Sequence, residues 1–345
     1  MYLDLLDSGL YTELLAQPAR IRNYISTDRE RWIVIDEVQR IPELLNEVHR
    51  LIEDQQLRFI LTGSSTRSLR KRGVNLLAGR ALTHSLHPLT SIELGTDFEL
   101  SHFLDYGGLP SIMQEAAPKA YLESYVSMYL REEIQQEGLT RNLGAFSRFL
   151  EAASFSQGQD LNVSAVSREC AIERKVMENY FGILDDLLLS CRLPVFTKKA
   201  KRKMVQHQKF YFFDVGVYQT LRPRGPLDRP SEIGGAALET FLLQELIAYN
   251  AYLNLGYRLF YWRTQAGREV DFVLYGENGI KAFEVKLTTK VRKEDTKGLK
   301  AFLADYPMAK AYLIYCGERS MRDDGIEILP IEAFLPGLPD LLACA

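Results

Sequence analysis

Between Glu269 and Lys286 the chain sets two apolar runs about a short turn at Gly276–Gly279, and both runs carry charge in their interiors. The first reads Glu269-Val270-Asp271-Phe272-Val273-Leu274 and the second Ala282-Phe283-Glu284-Val285-Lys286. Short apolar runs bounded by glycine predict two strands of one hairpin. Alternation along the second strand puts Glu284 and Lys286 on one face and turns Val285 to the core. Isolated charge in such strands is costly, so Asp271, Glu284 and Lys286 either converge on a site or pair as a solvated cross-strand salt bridge.

The hairpin belongs to a longer α/β order. A helix is expected over about 235–251, a strand over 258–263, a helix over 296–305 and a strand over 310–316. A Pro/Gly-rich stretch, 221–230, separates this part from what precedes it. Residues 118–195 read as helical throughout, with Asn162 as an N-cap and two helices joined by a tight turn, a helix-turn-helix on the winged-helix plan. The basic run Lys198-Lys199-Ala200-Lys201-Arg202-Lys203 follows and leads to Lys209. Lysines beside a helix-turn-helix make the middle helices with Lys198 to Lys209 the natural DNA contact, with Lys198, Lys199, Lys201, Arg202 and Lys203 as phosphate partners. Before residue 110, apolar runs at 2–6, 32–35, 59–61 and 81–86 alternate with helix-like stretches such as 42–54, which predicts a parallel sheet.

The domains expected are 1–110, 111–220 and 221–345. A chain of 345 residues with 46% hydrophobic content supports two or three cores. A net charge of −3 gives no global pull toward nucleic acid. Four scattered cysteines form no C-x-x-C pair, and His84 and His87 lack neighbouring ligands. No apolar span or secretory leader is legible, so a cytoplasmic location with no membrane contact is expected.

Trp32-Ile33-Val34-Ile35 ends in Asp36-Glu37, the Walker B pattern of P-loop ATPases. A buried strand of this kind offers Asp36 to a magnesium ion and Glu37 to the attacking water. With Arg58 to Ser65 as the next strand, and with Leu76-Leu77-Ala78-Gly79-Arg80, Pro88-Leu89-Thr90 and Glu93-Leu94 in order, the chain resembles the bacterial and archaeal proteins that join an AAA-type ATPase to a C-terminal nuclease-like domain. The resemblance implies Thr62 or Ser64 as the sensor-1 polar group and Arg80 as a trans-acting arginine or a surface cation. Arg67, Arg70, Lys71 and Arg72 read as a solvated basic loop. The sequence contains no G-x-x-x-x-G-K-[ST], the loop that cradles phosphates. The family places that loop ahead of the position of Met1, so this chain reads as a truncated ATPase core that does not bind or hydrolyse ATP by itself.

The hairpin resembles the PD-(D/E)XK nuclease core. That resemblance implies a restriction-endonuclease-like α/β domain in which Asp271 and Glu284 hold Mg²⁺ or Mn²⁺, and Lys286 orients or deprotonates the attacking water. It implies Glu239 as the family's helical glutamate, with Glu245 as a weaker alternative, and Tyr261-Trp262-Arg263-Thr264 as the preceding strand. The partners implied are DNA and either further copies of the chain or a complete ATPase paralogue. The competing reading is a non-catalytic scaffold for DNA or protein.

Overall fold

The computed structural model describes residues 1–25, 32–63, 81–129, 142–226 and 228–344. They form two compact units, one of Met1–Thr83 with Gly182–Leu188 and one of His84–Phe181 with Leu189–Ala345. Most of the helical middle and the C-terminal α/β part thus share one unit, where the sequence alone predicts a boundary at 220/221.

The first unit holds a parallel sheet of three strands in the order β1 (Tyr2–Asp4), β2 (Trp32–Asp36) and β3 (Arg58–Leu61). Helix Ser8–Ala16 follows β1, its N-terminus capped by Asp7, whose carboxylate accepts the Leu10 N–H at 2.7 Å. Helix Leu44–Gln55 buries Leu44, Leu45, Val48 and Leu51, one stripe at helical spacing, in a core with Leu3, Leu5, Ile33 and Ile35. The strand expected at 81–86 is absent: these residues lie in no regular element, and Leu82 and Leu86 are about nine-tenths exposed. An apolar run becomes a strand only where a neighbour takes its backbone groups, and here none does among the described residues.

The middle part of the chain carries helices Leu143–Ser154, Val163–Glu169 and Arg174–Asp186. Asn162 caps the second of these by accepting the Ala165 N–H at 3.0 Å. Ala171, in the turn to the third, takes a left-handed φ of 53°. Three short strands follow the order β4 (Gln159–Asp160), β6 (Lys209–Phe212), β5 (Ser190–Leu193), all antiparallel neighbours. Phe146, Phe149, Tyr180, Phe181 and Phe210 join helices and sheet through edge-on and tilted ring contacts at 4.8–5.4 Å.

The C-terminal part is a six-stranded sheet covered by helices. Helix Pro230–Tyr252 leads into β7 (Arg258–Arg263), β8 (Glu269–Gly276) and β9 (Gly279–Lys286), an antiparallel meander. Helix Lys297–Asp305 then crosses over to β10 (Lys310–Tyr315), parallel to β9. Beyond it, β12 (Ile326–Pro330) runs parallel to β10, and β11 (Met321–Asp323) forms the edge. Leu299 and Phe302 of the crossover helix pack with Trp262, Val273, Ala282 and Leu313. No helix among the described residues is long and apolar enough to cross a membrane.

One buried acid holds two distant segments of this unit together. Asp214 is fully buried, caps helix Val215–Leu221 by accepting the Val217 N–H at 3.0 Å, and accepts the Gly108 N–H at 2.8 Å. Gly107 takes φ +77° beside it, and a Cβ there would strike the Asp214 carboxylate.

Candidate active site

The hairpin opens where the charges sit. The β8–β9 ladder runs from Gly276–Gly279 to Phe272–Phe283 and stops there, one pair short of Asp271 and Glu284. On its other side, β8 pairs Val273 with Phe260 and Val270 with Trp262, so Asp271 and Phe272 together face the single residue Tyr261. This bulge turns Asp271 out of the regular ladder, and its Oδ2 accepts the Val285 N–H at 2.9 Å. A side chain thus fills a bond that a backbone would otherwise make.

Glu284 and Lys286 emerge side by side from β9, with the Lys286 Nζ 2.6 Å from Glu284 Oε1. Val285 between them is buried, as alternation requires. Glu284 Oε2 is buried and accepts nothing among the described residues. Burial, and then the Asp271 carboxylate beside it, push the Glu284 carboxyl up to about 8. For Lys286 burial works against the charge, but Asp271 and then Glu284 outweigh it, and the ammonium is held above its usual range.

Glu239 reaches the same place from helix Pro230–Tyr252. Its Oε1 accepts from the Tyr211 hydroxyl and from Lys209 Nζ, the latter at 3.1 Å. Burial raises its carboxyl, and Asp271 adds to the rise against the pull of Lys209. Gly158, at φ +68°, backs onto this carboxylate: a Cβ there would lie 3.4 Å from Glu239 Oε2. Glu245 does not belong to the cluster. It is turned to Ser91, accepting its N–H at 2.7 Å and its hydroxyl at 2.8 Å.

Lys209, which the sequence reading grouped with the DNA-contacting lysines, is 2% exposed and lies inside the cluster. Its Nζ stands 2.5 Å from Glu269 Oε1, 3.1 Å from Glu239 Oε1 and 3.7 Å from Asp271 Oδ1. Arg263 bridges Glu269 and Asp160, and the Tyr261 hydroxyl donates to the His207 carbonyl and to Asp160. Tyr211, Glu269 and Asp160 carry no signal of this role in the sequence, and for Lys209 the one trace is its place at the head of the wholly buried strand Lys-Phe-Tyr-Phe.

The other expected basic contacts are divided. Lys198 Nζ lies 4.0 Å over the Tyr275 ring, and Arg202 pairs with the buried Asp305 at 2.8 Å. The Lys198 and Lys203 carbonyls accept from the Tyr306 hydroxyl and the Gln265 N–H. Lys199, Lys201 and Lys203 project exposed side chains from a segment thus fastened to the six-stranded sheet.

In the first unit, β2 delivers Asp36 to two hydroxyls, Thr62 on Oδ1 and Tyr2 on Oδ2. These hold the Asp36 carboxyl below its usual range and push the Tyr2 phenol up to about 12. Each oxygen of Asp36 thus accepts a hydrogen bond from a hydroxyl. Glu37 takes a left-handed φ of 56°, uncommon for a side chain of this kind. Ser64, Arg80 and the basic loop of Arg67, Arg70, Lys71 and Arg72 lie outside the described residues.

Among the described residues no three His, Cys, Asp or Glu side chains stand together as a ready metal cage. At the hairpin two ammonium groups are interleaved with the carboxylates. The fit to one divalent ion rests on Asp271 and Glu284, with Glu284 Oε2 buried and unengaged among the described residues.

Comparison with known proteins matches residues 1–95 to an AAA domain, 98–228 to a domain of unknown function (DUF8612) and 234–334 to another (DUF4143). The N-terminal part is AAA-ATPase-like. The chain is 27% identical over 313 residues to uncharacterised proteins of Mycobacterium bovis and Mycobacterium tuberculosis, a match covering 88% of this chain and 69% of each relative. An uncharacterised protein of Methanocaldococcus jannaschii is 23% identical over 280 residues, covering 74% of this chain and 60% of its own.

Proposed function

We propose that the C-terminal part is a nuclease-like body of the PD-(D/E)XK plan that acts on, or grips, a nucleic-acid phosphodiester beside an AAA-like part. The observation that carries the reading is the convergence of Asp271, Glu284 and Lys286 at the fork of β8 and β9, with a buried carboxylate oxygen of Glu284 left unengaged. The helix–meander–helix–strand order, with β10 parallel to β9, supports it. A solvated cross-strand salt bridge is disfavoured because Asp271 and Glu284 are each 7% exposed.

Asp271 and Glu284 would hold one divalent ion, which when bound supplies a Lewis acid for the phosphoryl oxygen. Lys286, charged and fixed beside Glu284, orients the attacking water or the phosphate oxygen it approaches. The helices 143–186 with β4, β5 and β6 are read as a winged helix, and exposed Lys199, Lys201 and Lys203 as its phosphate contacts. The AAA-like part is read as a module that works in an assembly, with further copies of the chain or with a complete ATPase paralogue.

Purified protein with Mn²⁺ is expected to nick supercoiled plasmid, and Asp271→Asn to abolish nicking. Equal cutting by the variant, or Mn²⁺ having no effect on either cutting or melting temperature, would overturn the reading in favour of a scaffold.

A further inference from the structure

We infer that the Lys209 ammonium is a built-in cation standing where a second divalent ion would sit, so that this site takes one metal rather than two. The inference rests on the nuclease-like reading of Asp271 and Glu284 and goes beyond it to Lys209, Glu239 and Glu269.

An ammonium group has three N–H donors and no acceptor. Lys209 Nζ meets three carboxylates from two different elements: Glu239 on the long helix at 3.1 Å, and Glu269 and Asp271 on β8 at 2.5 and 3.7 Å, the last two separated by Val270 and so on one side of their strand. This is how acidic side chains surround a hard cation, but at ammonium distances; a divalent ion draws oxygens to about 2.0–2.6 Å. The position is closed to solvent phosphate, because Lys209 is 2% exposed and is roofed by the Tyr261 ring at 5.5 Å. Asp271 divides the two positions. Its Oδ1 faces Lys209, and its Oδ2 is fixed to the Val285 N–H next to Glu284 and Lys286. Glu284 Oε2, unengaged and buried, marks the position left for the single metal.

Lys209 therefore acts as a positioning residue. It belongs to the central strand β6 of the three-stranded sheet, so the middle part of the chain supplies the charge that gathers the acids of the six-stranded sheet. In two-metal hydrolases two ions lie roughly 3.5–4 Å apart and clamp both attacking and leaving oxygens. Here the place of the second ion is held by a fixed ammonium that chelators cannot remove, and that gathers the acids without reaching a phosphodiester oxygen.

The test is a count of bound Mn²⁺ on the full chain by the paramagnetic resonance signal of the free ion. Lys209→Met is expected to bind one more Mn²⁺ per chain than the wild type, and Lys209→Met with Glu239→Gln to lose that extra ion. An unchanged count in Lys209→Met, or an extra ion that survives Glu239→Gln, would overturn the inference. A wild type binding no Mn²⁺ at the hairpin would sink the metal-dependent reading instead, while the increment would still report on Lys209. If Lys209→Met is insoluble, recovery on refolding with Mn²⁺ but not without it supports the inference, and failure under both conditions overturns it.

Discussion

The carboxylate of Asp271 accepts the backbone N–H of Val285 at 2.9 Å, fastening the first acid of the site to the residue between Glu284 and Lys286. The contact makes the position of Asp271 depend on its acceptor oxygen and its role depend on its charge. Asp271→Asn separates the two, since an amide oxygen can still accept from Val285. The variant is expected to melt within a few degrees of the wild type but to lose the Mn²⁺-induced rise in melting temperature, read by calorimetry with and without the ion. A retained rise would place the metal elsewhere.

Glu245 makes stability depend on pH. Burial, against the hydrogen bonds from Ser91, raises its carboxyl from 4.5 to about 7. The folded protein thus holds a proton between pH 4.5 and 7 that the unfolded chain releases. Stability from this group is present below 4.5 and declines as pH rises through 7, by up to about 3 kcal/mol. Urea unfolding of Glu245→Gln is expected to show a flatter dependence over that window than the wild type; identical slopes would remove Glu245 as the cause.

Asp214→Ala should be among the most destabilising single changes. It removes a helix cap and leaves the buried Gly108 N–H without an acceptor, at a cost of about 2–4 kcal/mol. Asp214→Asn, which keeps one acceptor oxygen, is expected to lose less. Denaturant midpoints of the two variants check the ordering.

Replacing exposed Lys199, Lys201 and Lys203 together with alanine is expected to weaken DNA binding without altering the fold. If all three meet phosphates of a duplex, the slope of log K against log salt falls by roughly 2.7. An unchanged slope in a fluorescence titration would remove this segment from the interface. Lys209→Met, by contrast, should leave the slope as it is, because Lys209 is not exposed to a phosphate.

Much of the C-terminal part was legible because its signals are local. Apolar runs, a glycine turn and alternation located β7 through β10, and the same alternation put Glu284 and Lys286 on one face. What escaped was whatever depends on residues far apart in sequence. Lys209 lies 60 residues before Glu269, and nothing in a basic neighbourhood distinguishes the one lysine that turns inward. The choice between Glu239 and Glu245 turned on packing: six residues apart on one helix, they meet Lys209 and Ser91 respectively. The run at 81–86 misled because apolar composition says nothing of whether a neighbouring strand exists. The bulge at Asp271, which directs the carboxylate toward Val285, has no signature in residue type.

The ammonium of Lys209 is rooted in the three-stranded sheet while two of its carboxylate partners, Glu269 and Asp271, are rooted in the six-stranded one. Prying the two sheets apart would strip a buried positive charge of its counter-charges on one side and leave bare acids on the other. The middle and C-terminal parts should accordingly melt in a single transition, and a protease cut in the linker near residue 225 should leave two fragments that stay associated.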